Sequence, residues 1–135
     1  GCDIVAIDAT SRPRLDGRTF GETCQILHEE GALVMADCGS FEDAKAAYEA
    51  GADIISTTLA GYTGDREKST GPDLELLKEI VAAYPDAAVI CEGRIHTPQD
   101  AVEAMNAGAF AVIVGTGITH PTSITTWFRD AVENR

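Results

Sequence analysis

Basic side chains are scarce in this chain: 10 Lys and Arg stand against 22 Asp and Glu, for a formal net charge of -12. That shortage argues against nucleic acid and anionic membrane surfaces as partners. It leaves room for a small anion, because a few backbone N–H groups can hold a phosphate inside an acidic protein. Long apolar runs are missing too. No stretch reaches the ~18 residues of a membrane span, and no basic–apolar–small signal pattern opens the chain. The cysteines, Cys2, Cys24, Cys38 and Cys91, include no Cys-x-x-Cys pair. Wide spacing, with Cys38 and Cys91 in or beside apolar runs, reads as free thiols in a reducing, cytoplasmic setting. The histidines His28, His96 and His120 lack metal-ligand spacing, and no Gly-x-Gly-x-x-Gly follows the first strand. No metal or nucleotide cofactor is expected.

What the chain does have is a repeating alternation of short apolar runs and helical patterns within 135 residues, enough for one domain with a real core. Runs at Ile4–Ile7, Leu33–Ala36, Ile54–Ser56, Ala87–Ile90 and Ala111–Val114 are continuous rather than alternating, as in parallel strands covered on both faces. Helices are expected near 19–30, 41–50, 72–83, 98–107 and 122–133. Ser40 and Thr97-Pro98 supply starts, with Asp43 standing in for the usual box Glu, and Pro72-Asp73 and Thr122 offer similar ones. Gly31, Gly51 and Gly108 read as left-handed ends. Gly51-Ala52-Asp53 and Gly108-Ala109-Phe110 are the same helix-to-strand joint. Gly1-Cys2-Asp3 resembles that joint without its helix, so the chain is expected to be a piece of something longer.

Five strand–helix units suit two architectures: a complete open sheet, or the last five-eighths of an eightfold barrel. An open sheet gathers its site at one switch point, whereas a barrel draws on the ends of many strands. Polar candidates follow every strand here: Asp8 and Thr10, Asp37, Thr57 and Thr58, Glu92, then Gly115 and Gly117. The expected fold is therefore α/β, a (β/α)8 TIM barrel of which residues 1–135 form a partial domain.

Three carboxylates, Asp8, Asp37 and Glu92, each close an apolar strand. Partial desolvation there can raise a carboxyl pKa toward the range useful for acid–base work. The alternative for each is acceptance of helix amides or pairing with an arginine. Cys91, next to Glu92, has no histidine nearby in sequence and reads as core or wall. His28 reads as solvated or core-edge on its helix. In Val114-Gly115-Thr116-Gly117-Ile118 two glycines expose backbone N–H groups where a final strand turns, a frequent phosphate seat; Gly93 completes that pocket and His120 lies just beyond it. The run Gly61-Tyr62-Thr63 after Thr57-Thr58 places a glycine and a tyrosine where a cleft wall belongs.

These motifs together resemble the N-acylglucosamine-6-phosphate 2-epimerases, the bacterial N-acetylmannosamine-6-phosphate 2-epimerase family. The matching pieces are Asp3–Thr10, Met35-Ala36-Asp37, Thr57–Thr63, Pro72-Asp73, Glu92-Gly93-Arg94 with Thr97-Pro98, and Val114–Pro121. The resemblance implies an eightfold barrel that epimerises C2 of a phosphorylated amino sugar in sialic-acid catabolism, by proton removal and return without a cofactor. It implies Glu92 as one acid–base group, Asp8, Asp37, Thr58, Gly61 and Tyr62 at the sugar, and Gly93, Gly115, Gly117 and His120 at the phosphate. The partner is expected to be a homodimer mate or the missing N-terminal barrel portion. Two departures accompany it. The family's lysine-bearing third strand has no counterpart, so roughly 90 residues, at about 30 per unit, are needed to close the barrel and the chain alone is expected to be inactive. His120 also stands where the family usually has arginine, which grips phosphate bidentately at any pH. Another phosphate-binding barrel isomerase or synthase, or a non-catalytic fragment, remains the alternative.

Overall fold

The computed structural model describes residues 1–135. Five parallel strands, β1 (Ile4–Asp8), β2 (Leu33–Asp37), β3 (Ile54–Ser56), β4 (Ala88–Glu92) and β5 (Ala111–Ile113), lie side by side in chain order. Between them run α1 (Phe20–Glu29), α2 (Phe41–Glu49), α3 (Leu74–Ala83) and α4 (Pro98–Asn106); α5 (Thr116–Thr119) and α6 (Pro121–Glu133) follow β5. Parallel neighbours joined by helices cross over right-handedly, and an order that never reverses puts every crossover helix on one face of the sheet. There is no switch point of the kind a doubly wound sheet requires.

The helix starts follow from capping chemistry. Ser40, Asp73 and Thr97 each accept the backbone N–H three residues on, and Pro98 and Pro121 occupy first-turn positions where no donor is lost. Gly31, Gly51 and Gly108 follow their helices at φ 82°, 91° and 101°. Three details differ from expectation. Asp43 accepts the Gly39 amide rather than closing a box on Ser40. The last helix starts at Pro121 with His120 as its cap, so Thr122 lies inside it. The double-glycine turn coils into the short helix α5, too brief for hydrophobic periodicity to reveal.

The core lies between the sheet and its helices. Ala36, Ile55, Val89 and Cys91 from the strands meet Ala44 and Ala47 of α2, Leu76, Leu77 and Ile80 of α3 and Ala104 of α4, all essentially inaccessible. Each such Leu or Ile contributes about 1.5–3 kcal/mol by leaving water. The expectation of strands covered on both faces fails at β1 and β2. Val34 and Ala36 are sealed, whereas Leu33 and Ile4 are each 47% exposed. The cause is the one-sided placement of the helices. α6 also has no buried residue; it packs on α5, and its Trp127 ring lies 4.3 Å from that of His96.

Candidate active site

Strand ends bring the site together. Asp8, Asp37 and Ser56 are register partners across β1, β2 and β3, and Glu92 ends β4 beside Ile113 of β5. The carboxylates are therefore the last residues of their strands rather than loop residues. Successive side chains alternate faces along an extended chain, so Ser56 and Thr58 point together toward Glu92 while Thr57 turns the other way. The Thr57 hydroxyl donates to the Glu92 carbonyl at 3.0 Å and accepts the Glu92 N–H at 3.1 Å, fixing the backbone of that residue.

Glu92 Oε2 accepts from Thr58 Oγ1 at 2.8 Å and from Ser56 Oγ at 3.2 Å, and the two hydroxyl oxygens are 2.6 Å apart. Thr58 Oγ1 also lies 3.1 Å from Asp37 Oδ1. One hydroxyl hydrogen cannot serve both carboxylates at once. A proton on Asp37 removes the conflict, because Asp37 can then donate to Thr58 while Thr58 donates to Glu92. The electrostatics point the same way. Burial pushes the Asp37 carboxyl up, against the opposing Thr58 hydrogen bond, and the charges of Glu92 and Asp8 push it further.

Asp8 behaves in the opposite sense and follows the alternative of a carboxylate paired with an arginine. Burial alone would lift it, but the Thr10 hydroxyl and amide, at 2.6 and 2.8 Å, and the Arg12 guanidinium at 2.5 Å outweigh that and hold it below the ordinary range. Arg14 donates to its carbonyl. Asp8 lines a separate hollow with residues 12–16 instead of the cavity at Glu92.

That main cavity, of about 560 Å³, is lined by Thr58, Tyr62, Glu92, Gly93 and Gly115 among the expected residues. Lys68, Arg94, His96 and Trp127 also face it, coming from two loops and a helix, and of these only Arg94 belongs to a motif singled out in the sequence. Of the remaining expected residues, Asp37 joins through Thr58, and Gly61 lies against the backbone of Lys68. Gly117 packs inward: a Cβ there would sit 2.7 Å from the Ile95 carbonyl, so close approach explains that glycine. His120 stands outside the cavity lining, its Nδ1 2.7 Å from Ser123 Oγ and accepting the Ser123 amide.

Arg94 organises the cavity wall. It is the only non-glycine residue with positive φ, 57°, directly after Gly93. Its guanidinium donates to the carbonyls of Ala60 and Gly71 at 2.7 and 3.0 Å and to Ser69 Oγ at 3.1 Å, tying the loop after β3 to the end of β4. Farther along that loop Arg66 clamps Asp73, the α3 cap, at 2.7 and 3.1 Å. Cys38 and Cys91 are buried, and burial pushes both thiols up, away from thiolate chemistry. No three His, Cys, Asp or Glu side chains converge as a metal would require.

Residues 1–134 match the family model described as "Putative N-acetylmannosamine-6-phosphate epimerase". The chain belongs to that family. It is 57% identical over 134 residues to a Cutibacterium acnes protein named "Putative N-acetylmannosamine-6-phosphate 2-epimerase", covering 98% of this chain and 58% of that protein. A protein of the same name from Corynebacterium glutamicum is 50% identical over 128 residues, 95% of this chain and 55% of that one. Among solved structures, the N-acetylmannosamine-6-phosphate 2-epimerase from Clostridium perfringens superposes with a TM-score of 0.92 at 41% identity, over 96% of this chain and 56% of its own. The chain thus spans less than three-fifths of the epimerase-family members it matches.

Proposed function

We propose that this chain supplies the last five strand–helix units of an eightfold β/α barrel, and with them the Glu92 side of a 2-epimerase active site acting on N-acetylmannosamine 6-phosphate to give N-acetylglucosamine 6-phosphate. An uninterrupted strand order with crossover helices on one face supports the barrel, as does coverage of 56–58% of the relatives, near the five-eighths that five of eight units represent. The observation that carries the function is Glu92 itself: a carboxylate held by two hydroxyls and backed by Asp37, at the edge of a cavity large enough for a sugar phosphate.

A C2 proton is acidic only when it lies α to a carbonyl, so the sugar reacts as its open-chain aldehyde. Glu92 takes the proton from one face of C2. The C–H electron pair forms the C1–C2 double bond and charge passes to the C1 oxygen. Returning a proton to C2 from the opposite face inverts the centre and restores the aldehyde. The second acid–base group belongs to the strands that would precede β1. Thr58 and Ser56 hold the Glu92 oxygen in place, and Asp37, when protonated, leaves the Thr58 hydrogen to Glu92. Gly93 and Gly115 open the cavity to the phosphate, and Tyr62 forms its wall. Three buried free thiols suit a reducing, cytoplasmic setting.

The test is C2–deuterium exchange in the protein with its complete barrel. Glu92→Gln should slow exchange and epimerisation by about 10²–10⁴ while phosphate still binds. Exchange at the unaltered rate would remove Glu92 from the chemistry.

A further inference from the structure

The loop after β3 carries a cation, Lys68, that none of the roles above uses. Lys68 faces the Glu92 cavity, and none of the chain's ion pairs includes it. In a chain with 22 acidic and 10 basic side chains, an exposed ammonium without a carboxylate at the wall of that cavity marks a place for some other anion. Its position is built rather than free. Gly61, at φ 77°, lies so close that a Cβ on it would meet Lys68 Cα at 2.8 Å, so the loop can fold back only over a glycine. The next residue, Tyr62, lays its ring under the ammonium, with Lys68 Nζ 4.8 Å from the ring centroid. Arg94, whose Cζ is 5.2 Å from the same ring, spends three donors on Ala60, Ser69 and Gly71 and so holds the loop in this shape.

We propose that Lys68 is a substrate-binding residue that takes the phosphoryl group, with the Tyr62 ring as its seat and Arg94 as the clamp on its loop. This rests on the sugar-phosphate reading of the cavity and adds a side-chain charge to the openings at Gly93 and Gly115. A lysine suits the task as a compact point charge on a flexible stem, able to follow a phosphate without the fixed fork of arginine.

The experiment uses the protein with its complete barrel, as wild type, Lys68→Met, Lys68→Arg and Glu92→Gln, and measures inhibition and direct binding by inorganic phosphate together with KM and kcat for the sugar phosphate. Lys68→Met should weaken phosphate binding and raise KM by about tenfold each, with the loss falling on KM rather than kcat, and Lys68→Arg should recover most of it. Phosphate binding by Lys68→Met equal to wild type overturns the proposal. So does a Lys68→Arg protein as impaired as Lys68→Met, because then the loop's shape and not its charge is at stake. If wild type and Glu92→Gln epimerise alike while Lys68→Met alone loses phosphate affinity, the Glu92 mechanism fails and the Lys68 site stands.

Discussion

Asp8 and Asp37 are register partners at the ends of neighbouring strands, and their carboxyls are driven in opposite directions. Both lose water on folding, so burial acts on both in the same sense. What separates them is the second contribution. Asp8 is followed within a few residues by Thr10, Arg12 and Arg14, which wrap it with donors from its own loop. Asp37 is followed by Cys38, Gly39 and Ser40, and its one side-chain partner is a threonine just past the end of β3 that also faces a second carboxylate. Local donors make an ion; a shared hydroxyl between two acids makes a place for a proton.

The largest expected effect separates the two by function. Asp37→Ala in the complete protein should reduce kcat by about tenfold to a hundredfold, because it removes the group that donates to Thr58 and so leaves the Thr58 hydrogen to Glu92, whereas Asp8→Ala should cost less than about threefold. Equal losses in steady-state kinetics would erase the distinction.

Next in size is Thr58→Val, which keeps the shape and removes the shared hydroxyl. Two carboxylates then lose their common partner, and the fold should lose about 1–3 kcal/mol in urea unfolding at neutral pH. Valine tolerated without loss would mean that water already serves both acids.

Titration is the direct check. Carboxyl carbon shifts followed by NMR should show Asp37 ionising above the ordinary 3.8 and Asp8 below it. For Asp37 the stabilisation belongs to the protonated form: it is complete below 3.8 and fades as the pH rises through the higher folded value. For Asp8 it belongs to the ion, is complete above 3.8 and fades as the pH falls through the lower folded value. The reverse order of titration would contradict both networks.

The smallest effect is Arg12→Ala. Arg12 and Asp8 are 55% and 41% exposed, so solvent screens the pair and thermal unfolding should register no more than about 0.5 kcal/mol. A larger change would show that Arg12 supports the whole loop rather than one ion pair.

Local chemistry made much of the molecule legible in advance. Strand–helix alternation, the caps at Ser40 and Thr97, and the left-handed glycines depend on neighbours a few residues away, so the chain itself carries them. Glu92, Thr58, Tyr62, Gly93 and Gly115 could be named because each sits where an apolar run stops. The divergence of Asp8 from Asp37 was only half legible: Thr10, Arg12 and Arg14 stand beside Asp8 in the chain, whereas the Thr58 hydroxyl that Asp37 shares with Glu92 comes from 21 positions away. Gly117 reads as a phosphate turn in the sequence, and the structure adds a separate reason for that glycine, its close contact with Ile95, a neighbour 22 positions away.

By itself, then, the sequence determined which residues lie at strand ends, because that requires only hydrophobic runs and their stops. The tertiary structure decided which of those residues act together. A single hydroxyl between Asp37 and Glu92, and an unpaired ammonium above a tyrosine ring, are distances between segments, and no linear pattern encodes a distance.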